Sequence, residues 1–69
     1  MLSVDHERWN LSPADLLERA IGSEHRRTRE RFLALYEVAQ GRCATDVAKE
    51  MERENETVHR WIHWFNDEG

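Results

Sequence analysis

The sequence predicts an all-α protein, a bundle of three to four helices. Every apolar periodicity in its 69 residues is helical, with spacings of i, i+3, i+4 and i+7. Gly22 and Gly41 stand where two of those stripes run out, as helix ends require. No stretch alternates as a half-buried strand would, and no repeat, linker or low-complexity segment interrupts the pattern.

The first helix is predicted over 12–21. Ser12 can cap, Pro13 suits the first helical position, and Asp15 can reach back to complete the cap. Leu11 and Leu16 have the spacing of a hydrophobic staple, Leu17, Ala20 and Ile21 continue the apolar face, and Gly22 stops it. Ser23 is expected to cap a longer helix whose core stripe is Phe32, Leu35, Tyr36 and Ala39, ended by Gly41. Ala44, Val47, Ala48 and Met51 repeat the spacing over two turns, 44–51. Cys43 stands where Ser or Thr would cap this third helix, a weak start that Thr45 or Asp46 can assist. After the polar break Glu52-Arg53-Glu54, Asn55 is the expected cap of a fourth helix, 55–67, with Val58, Trp61, Ile62 and Phe65 on its core face. Trp9 and Trp64 fall off the stripes, and an exposed pair there would serve a homodimer or another protein partner.

Composition narrows the function classes. With 35% charged and 39% hydrophobic residues the chain is too apolar for a disordered tail. No run approaches the ~18 apolar residues of a membrane span. The first residues lack the basic and apolar segments of a secretory signal, so a soluble cytoplasmic protein is expected. Cys43 is the single cysteine, which excludes an intrachain disulfide or an all-Cys zinc site. So few residues can hardly build both a core and a walled pocket, and no paired carboxylates or activated nucleophile stand out. Neither an enzyme nor a cofactor is expected.

The charge distribution says more than the net −4. Residues 24–42 carry five Arg against three Glu, between two acidic ends. Two helices joined by a turn as short as 52–54 cannot lie antiparallel; they must cross steeply, as in a helix-turn-helix. Ala48 falls where the crossing requires a narrow residue. The expected organisation is one domain over 1–69, with 12–22 as an accessory helix on a three-helix unit, 24–69.

At this point the residues resemble a family. The run His25-Arg26-Arg27-Thr28-Arg29-Glu30-Arg31-Phe32, then Ala39-Gln40-Gly41-Arg42, Ala44-Thr45-Asp46-Val47-Ala48, and Thr57-Val58-His59-Arg60-Trp61-Ile62-His63-Trp64-Phe65-Asn66, is similar to the homeodomain-like helix-turn-helix of bacterial insertion-sequence transposases of the mariner-related DDE type. The resemblance covers 24–69; where its turn usually carries Gly this sequence has Glu52, which must take a left-handed or altered conformation. It implies recognition of double-stranded DNA at transposon ends, or at an operator, without catalysis, because a separate downstream domain carries the catalytic carboxylates. Bound to DNA, such a protein associates with the nucleoid.

Carried over residue by residue, the base-facing side of the fourth helix is Asn55, Glu56, Thr57, His59, Arg60 and His63. Arg60 is the strongest base reader, since its fork matches guanine O6 and N7, and Glu56 can accept a bond from cytosine N4. Asn55 can read adenine or cap the helix, or both. Arg42 and Thr45 at the start of the third helix, Arg53 in the turn, and some of Arg26, Arg27 and Arg29 would hold phosphates. The Arg cluster reads almost as well as a solvated helix face paired with Glu24 and Glu30. His59 and His63 stand at i, i+4, but no third metal ligand is evident. The alternative to DNA binding is a protein-interaction or dimerisation module on a helix-turn-helix that has lost its basic surface.

Overall fold

The computed structural model describes residues 2–68; Met1 and Gly69, the outer bounds of the expected domain, lie outside the described residues. The elements are a 3₁₀ turn, His6–Trp9, followed by α1 (Pro13–Gly22), α2 (Arg26–Ala39), α3 (Ala44–Glu50) and α4 (Asn55–Glu68). The fold is all-α, and no strand occurs among the described residues.

The start of α1 forms as its sequence requires. Ser12 Oγ accepts from Asp15 N at 3.2 Å, and the Asp15 carboxylate accepts from Ser12 N at 2.8 Å, closing a reciprocal cap. α1 packs against α2. Leu16 and Ala20 are fully buried; removing a Leu side chain from water contributes about 1.5–3 kcal/mol. Ile21 departs from the expected face. It is 71% exposed: Leu16 and Ala20 set the buried direction of α1, and Ile21 stands about 100° round the helix from Ala20.

α2 begins later than expected. Its N-cap is His25, which makes no side-chain cap bond, whereas Ser23 ends α1 and exchanges hydrogen bonds with the backbone of His25. The buried face of α2 is Phe32, Ala34, Leu35 and Val38, with Tyr36 and Ala39 only half-buried. α3 starts at Ala44 after an extended Cys43 that supplies no side-chain cap, and neither Thr45 nor Asp46 hydrogen-bonds in its place. Val47 and Ala48 of α3 meet Val58, Ile62 and Phe65 of α4 in one core, which also holds Leu16, Phe32 and Leu35. Trp61, expected in that core, is half-buried at its edge.

The N-terminal segment wraps the far end of α4. Asn66 Oδ1 accepts from Asp5 N at 2.7 Å, and Asn66 Nδ2 donates to Ser3 O at 3.0 Å. The last turn of a helix leaves carbonyls without partners. Here Trp9 Nε1 donates to Phe65 O and an Arg8 guanidinium N–H to Asn66 O, both at 2.9 Å. Val4 is buried beneath this strap, and a bond from His6 Nδ1 to Leu11 O at 2.7 Å closes it.

Candidate nucleic-acid interface

The geometry of α3 and α4 is set by how α3 ends. Glu52 N donates to Lys49 O and Arg53 N to Ala48 O, at 3.2 and 2.8 Å, with Glu52 left-handed at φ 59°. That pair of bonds is a Schellman motif, completed by a residue other than Gly. The turn is also tied to the helix behind it: Arg53 forks onto Glu30 of α2, with Nε–Oε1 at 3.0 Å and the second bond at 2.5 Å. The Glu30 hydrogen bond raises the pKa of the Arg53 guanidinium. The turn is therefore braced on both sides before α4 begins.

α4 starts on the carbonyl of Glu54, which accepts from Thr57 N at 3.0 Å and Val58 N at 3.4 Å. The cap position is thus Glu54. Asn55, expected there, is instead the first helical residue and is exposed. Val58, Ile62 and Phe65 face the core, which leaves Asn55, Glu56, Arg60 and His63 exposed and Thr57 and His59 half-buried. Glu56, Arg60 and His63 therefore share the accessible side of the helix, whereas Thr57 turns toward α2 and His59 is partly covered. The first turn of α4 is acidic, with Glu52, Glu54 and Glu56 all exposed.

The expected phosphate contacts divide into two kinds. Arg26, Arg27 and Arg29 are exposed at the start of α2, where Arg29 reaches back to Ser23 O at 3.1 Å, and Thr45 is exposed on α3. Arg42 is already held, by Glu37 at 3.1 Å and by Glu50. Those bonds raise its pKa, and the Arg42 bond in turn lowers that of Glu50. Arg53 is held by Glu30. Among the described residues, no group of three His, Cys, Asp or Glu side chains is placed to share a metal with His59 and His63.

The two off-stripe indoles are not exposed. Trp9 is half-buried with its N–H on Phe65 O, and Trp64 is half-buried, edge-on to Phe32 with ring centroids 6.3 Å apart. The exposed aromatic pair that would mark a protein interface is therefore absent from the described residues. Trp64 also carries the Arg31 guanidinium 4.8 Å from its ring centre. Arg31 was not among the expected site residues. Its sequence signal is indistinct, since it lies in a run of Arg whose members differ only in which face they take.

Residues 25–69 match the family of the homeodomain-like domain. The chain belongs to that family. No curated protein and no solved structure matches it. In the homeodomain-like unit α2, α3 and α4 are the three helices, and α4 is the helix such domains lay in the major groove. The unit is a helix-turn-helix, and its family suggests DNA binding. Among the described residues no helix is long and apolar enough to cross a membrane.

Proposed function

We propose that this protein binds double-stranded DNA through the major groove with α4, as the end-recognising part of an insertion-sequence transposase or as a related regulator. In this reading Arg60 reads guanine, His59 and His63 contact bases or phosphates beside it, and the protein acts in the cytoplasm, on the nucleoid when bound. It is a binding domain and does no chemistry of its own. The observation that carries the reading is the homeodomain-like match over 25–69, with the outer side of α4 left accessible by the packing of its inner side.

The acidic first turn modulates binding. Glu54 and Glu56 favour the helix through its dipole but repel phosphates. A salt-dependent titration against random and transposon-end duplexes tests the reading. Arg60→Ala should cost about 1–3 kcal/mol on a preferred duplex and relax its sequence preference. The double change Glu54→Gln with Glu56→Gln should tighten binding to all duplexes, with the gain shrinking as salt rises; if Glu56 reads a cytosine, it instead weakens the preferred site while strengthening random DNA. Undetectable duplex binding at low salt, with the double variant no better, would replace this reading by the protein-interaction one.

A further inference from the structure

We propose that the groove between α2 and α4 is a phosphate cleft that grips the backbone of the DNA whose bases α4 reads. The inference rests on the DNA-binding reading above and says where the electrostatic hold on the duplex lies. Two hollows meet in this groove. One, of about 260 Å³, is bounded by Arg27, Arg31, Thr57 and Trp61, with the Glu30–Arg53 pair at its end. The other, of about 280 Å³, is bounded by Arg31, Arg60, Trp61 and Trp64.

Charge decides what fits. Glu30 is the one acid lining either hollow, and Arg53 already occupies it with two hydrogen bonds. Arg27, Arg31 and Arg60 make no ion pair among the described residues. Between α2 and α3, Arg42 is divided between Glu37 and Glu50, while Arg26 and Arg29 at the start of α2 make no ion pair among the described residues. Unpaired arginines of α2 thus border both grooves, and in the one beside α4 they are joined by Arg60.

Geometry then separates phosphate from base. The Trp64 ring carries the Arg31 guanidinium over one face, so a base could stack there only by displacing it. The stack has another effect: it holds a planar, permanently charged fork in place before any ligand arrives. Arg31 Nε is shut off from solvent and has no hydrogen-bond partner, an uncommon condition for a buried donor. A phosphate oxygen entering the cleft would meet the terminal N–H groups of the guanidinium, since Nε itself is covered. Thr57, Trp61 and Trp64 stand at i, i+4 and i+7, the flank of α4 turned to α2, and Arg60 adjoins both that flank and the outer face. A duplex lying on the outer face would bring one backbone strand over the cleft.

The test is the salt dependence of binding to a random-sequence duplex, measured with the whole chain. Each phosphate contact removed lowers the slope of log K against log salt by about 0.9. Arg27→Ala and Arg31→Gln should each lower it by that amount and weaken random and preferred duplexes by the same factor. Arg31→Lys should keep the slope, and Arg19→Ala on α1 should leave it unchanged. If Arg31→Gln loses its helical circular dichroism, the exposed Arg27 and the Arg31→Lys variant decide the matter. Wild-type binding with slopes unaltered by Arg27→Ala and Arg31→Gln would overturn the cleft and leave the DNA-binding reading standing. A wild-type chain that binds no duplex at low salt would overturn both.

Discussion

The bend after α2 and the bend after α3 carry the same pair of backbone hydrogen bonds, yet one places Gly41 at φ 100° and the other Glu52 at φ 59°. A left-handed residue other than Gly is disfavoured by about 1–2 kcal/mol, because its Cβ crowds the following carbonyl. The first bend avoids that strain by composition, and the second must offset it by its surroundings. Those surroundings are visible. Ala48, whose carbonyl accepts the Arg53 N–H, is fully buried, and the Arg53 side chain forks onto Glu30. The residue type at a turn is thus one of two ways to fix it; the other is to anchor the residues on either side. In a helix-turn-helix the second way leaves the turn position free to carry charge, and here the charge is negative.

The largest effect should come from disturbing the anchor. Ala48 has no exposed surface and sits where α3 meets α4. Ala48→Leu should destabilise by about 1–3 kcal/mol through overpacking. Denaturant unfolding followed by tryptophan emission would show it, and an unchanged midpoint would mean that the crossing has room to spare.

Next in size is an exchange of residue types between the bends. A Cβ built on Gly41 meets no atom within 4 Å, so Gly41→Ala adds backbone strain and no clash. It should cost about 1–2 kcal/mol. Glu52→Gly should act the other way and stabilise by about 0.5–1 kcal/mol, since relief of strain exceeds the added freedom of the unfolded chain. Thermal melts of the two variants should therefore move in opposite directions. A loss of stability in Glu52→Gly would show that the glutamate side chain itself holds the turn.

Much of this was legible in the sequence, where local rules act. The Ser12–Asp15 cap and the four helices follow from local spacing, and the left-handed Glu52 from the resemblance, whose turn usually carries Gly there. What was not legible depends on partners far along the chain. Asn66 bonds Asp5 and Ser3, more than sixty positions away, and no periodicity announces that strap. Trp9 and Trp64 looked surplus to the stripes because a half-buried indole covers the edge of a core instead of its centre. Ile21 continues the expected face of α1 and yet is exposed, because Leu16 and Ala20 set the buried direction and Ile21 lies about 100° round from Ala20. At the site, the residues on the outer side of α4 follow from its core face. Which arginines remain free does not, since Glu30 and Glu37 decide it by geometry.

Acid titration gives the smallest effect and tests the first bend. There Arg42 links Glu37 to Glu50, and its hydrogen bond with the Glu50 carboxylate holds that group below its ordinary value of 4.5. Asp15 is likewise held below 3.8, chiefly by the backbone hydrogen bond from Ser12. In both cases the folded state binds its proton less readily than the unfolded state. The contribution is therefore complete above the ordinary pKa and is lost as pH falls through the lowered one. Stability should be insensitive to these two groups above about pH 4.5 and decline below it, Glu50 first by its higher starting value. Glu50→Gln should flatten the upper part of that decline while leaving the part due to Asp15. Exposure and salt keep the change small, so the comparison belongs at low ionic strength. An acid limb identical in the two proteins would mean that Arg42 does not brace the bend after α2 through Glu50, and that Gly41 alone suffices there.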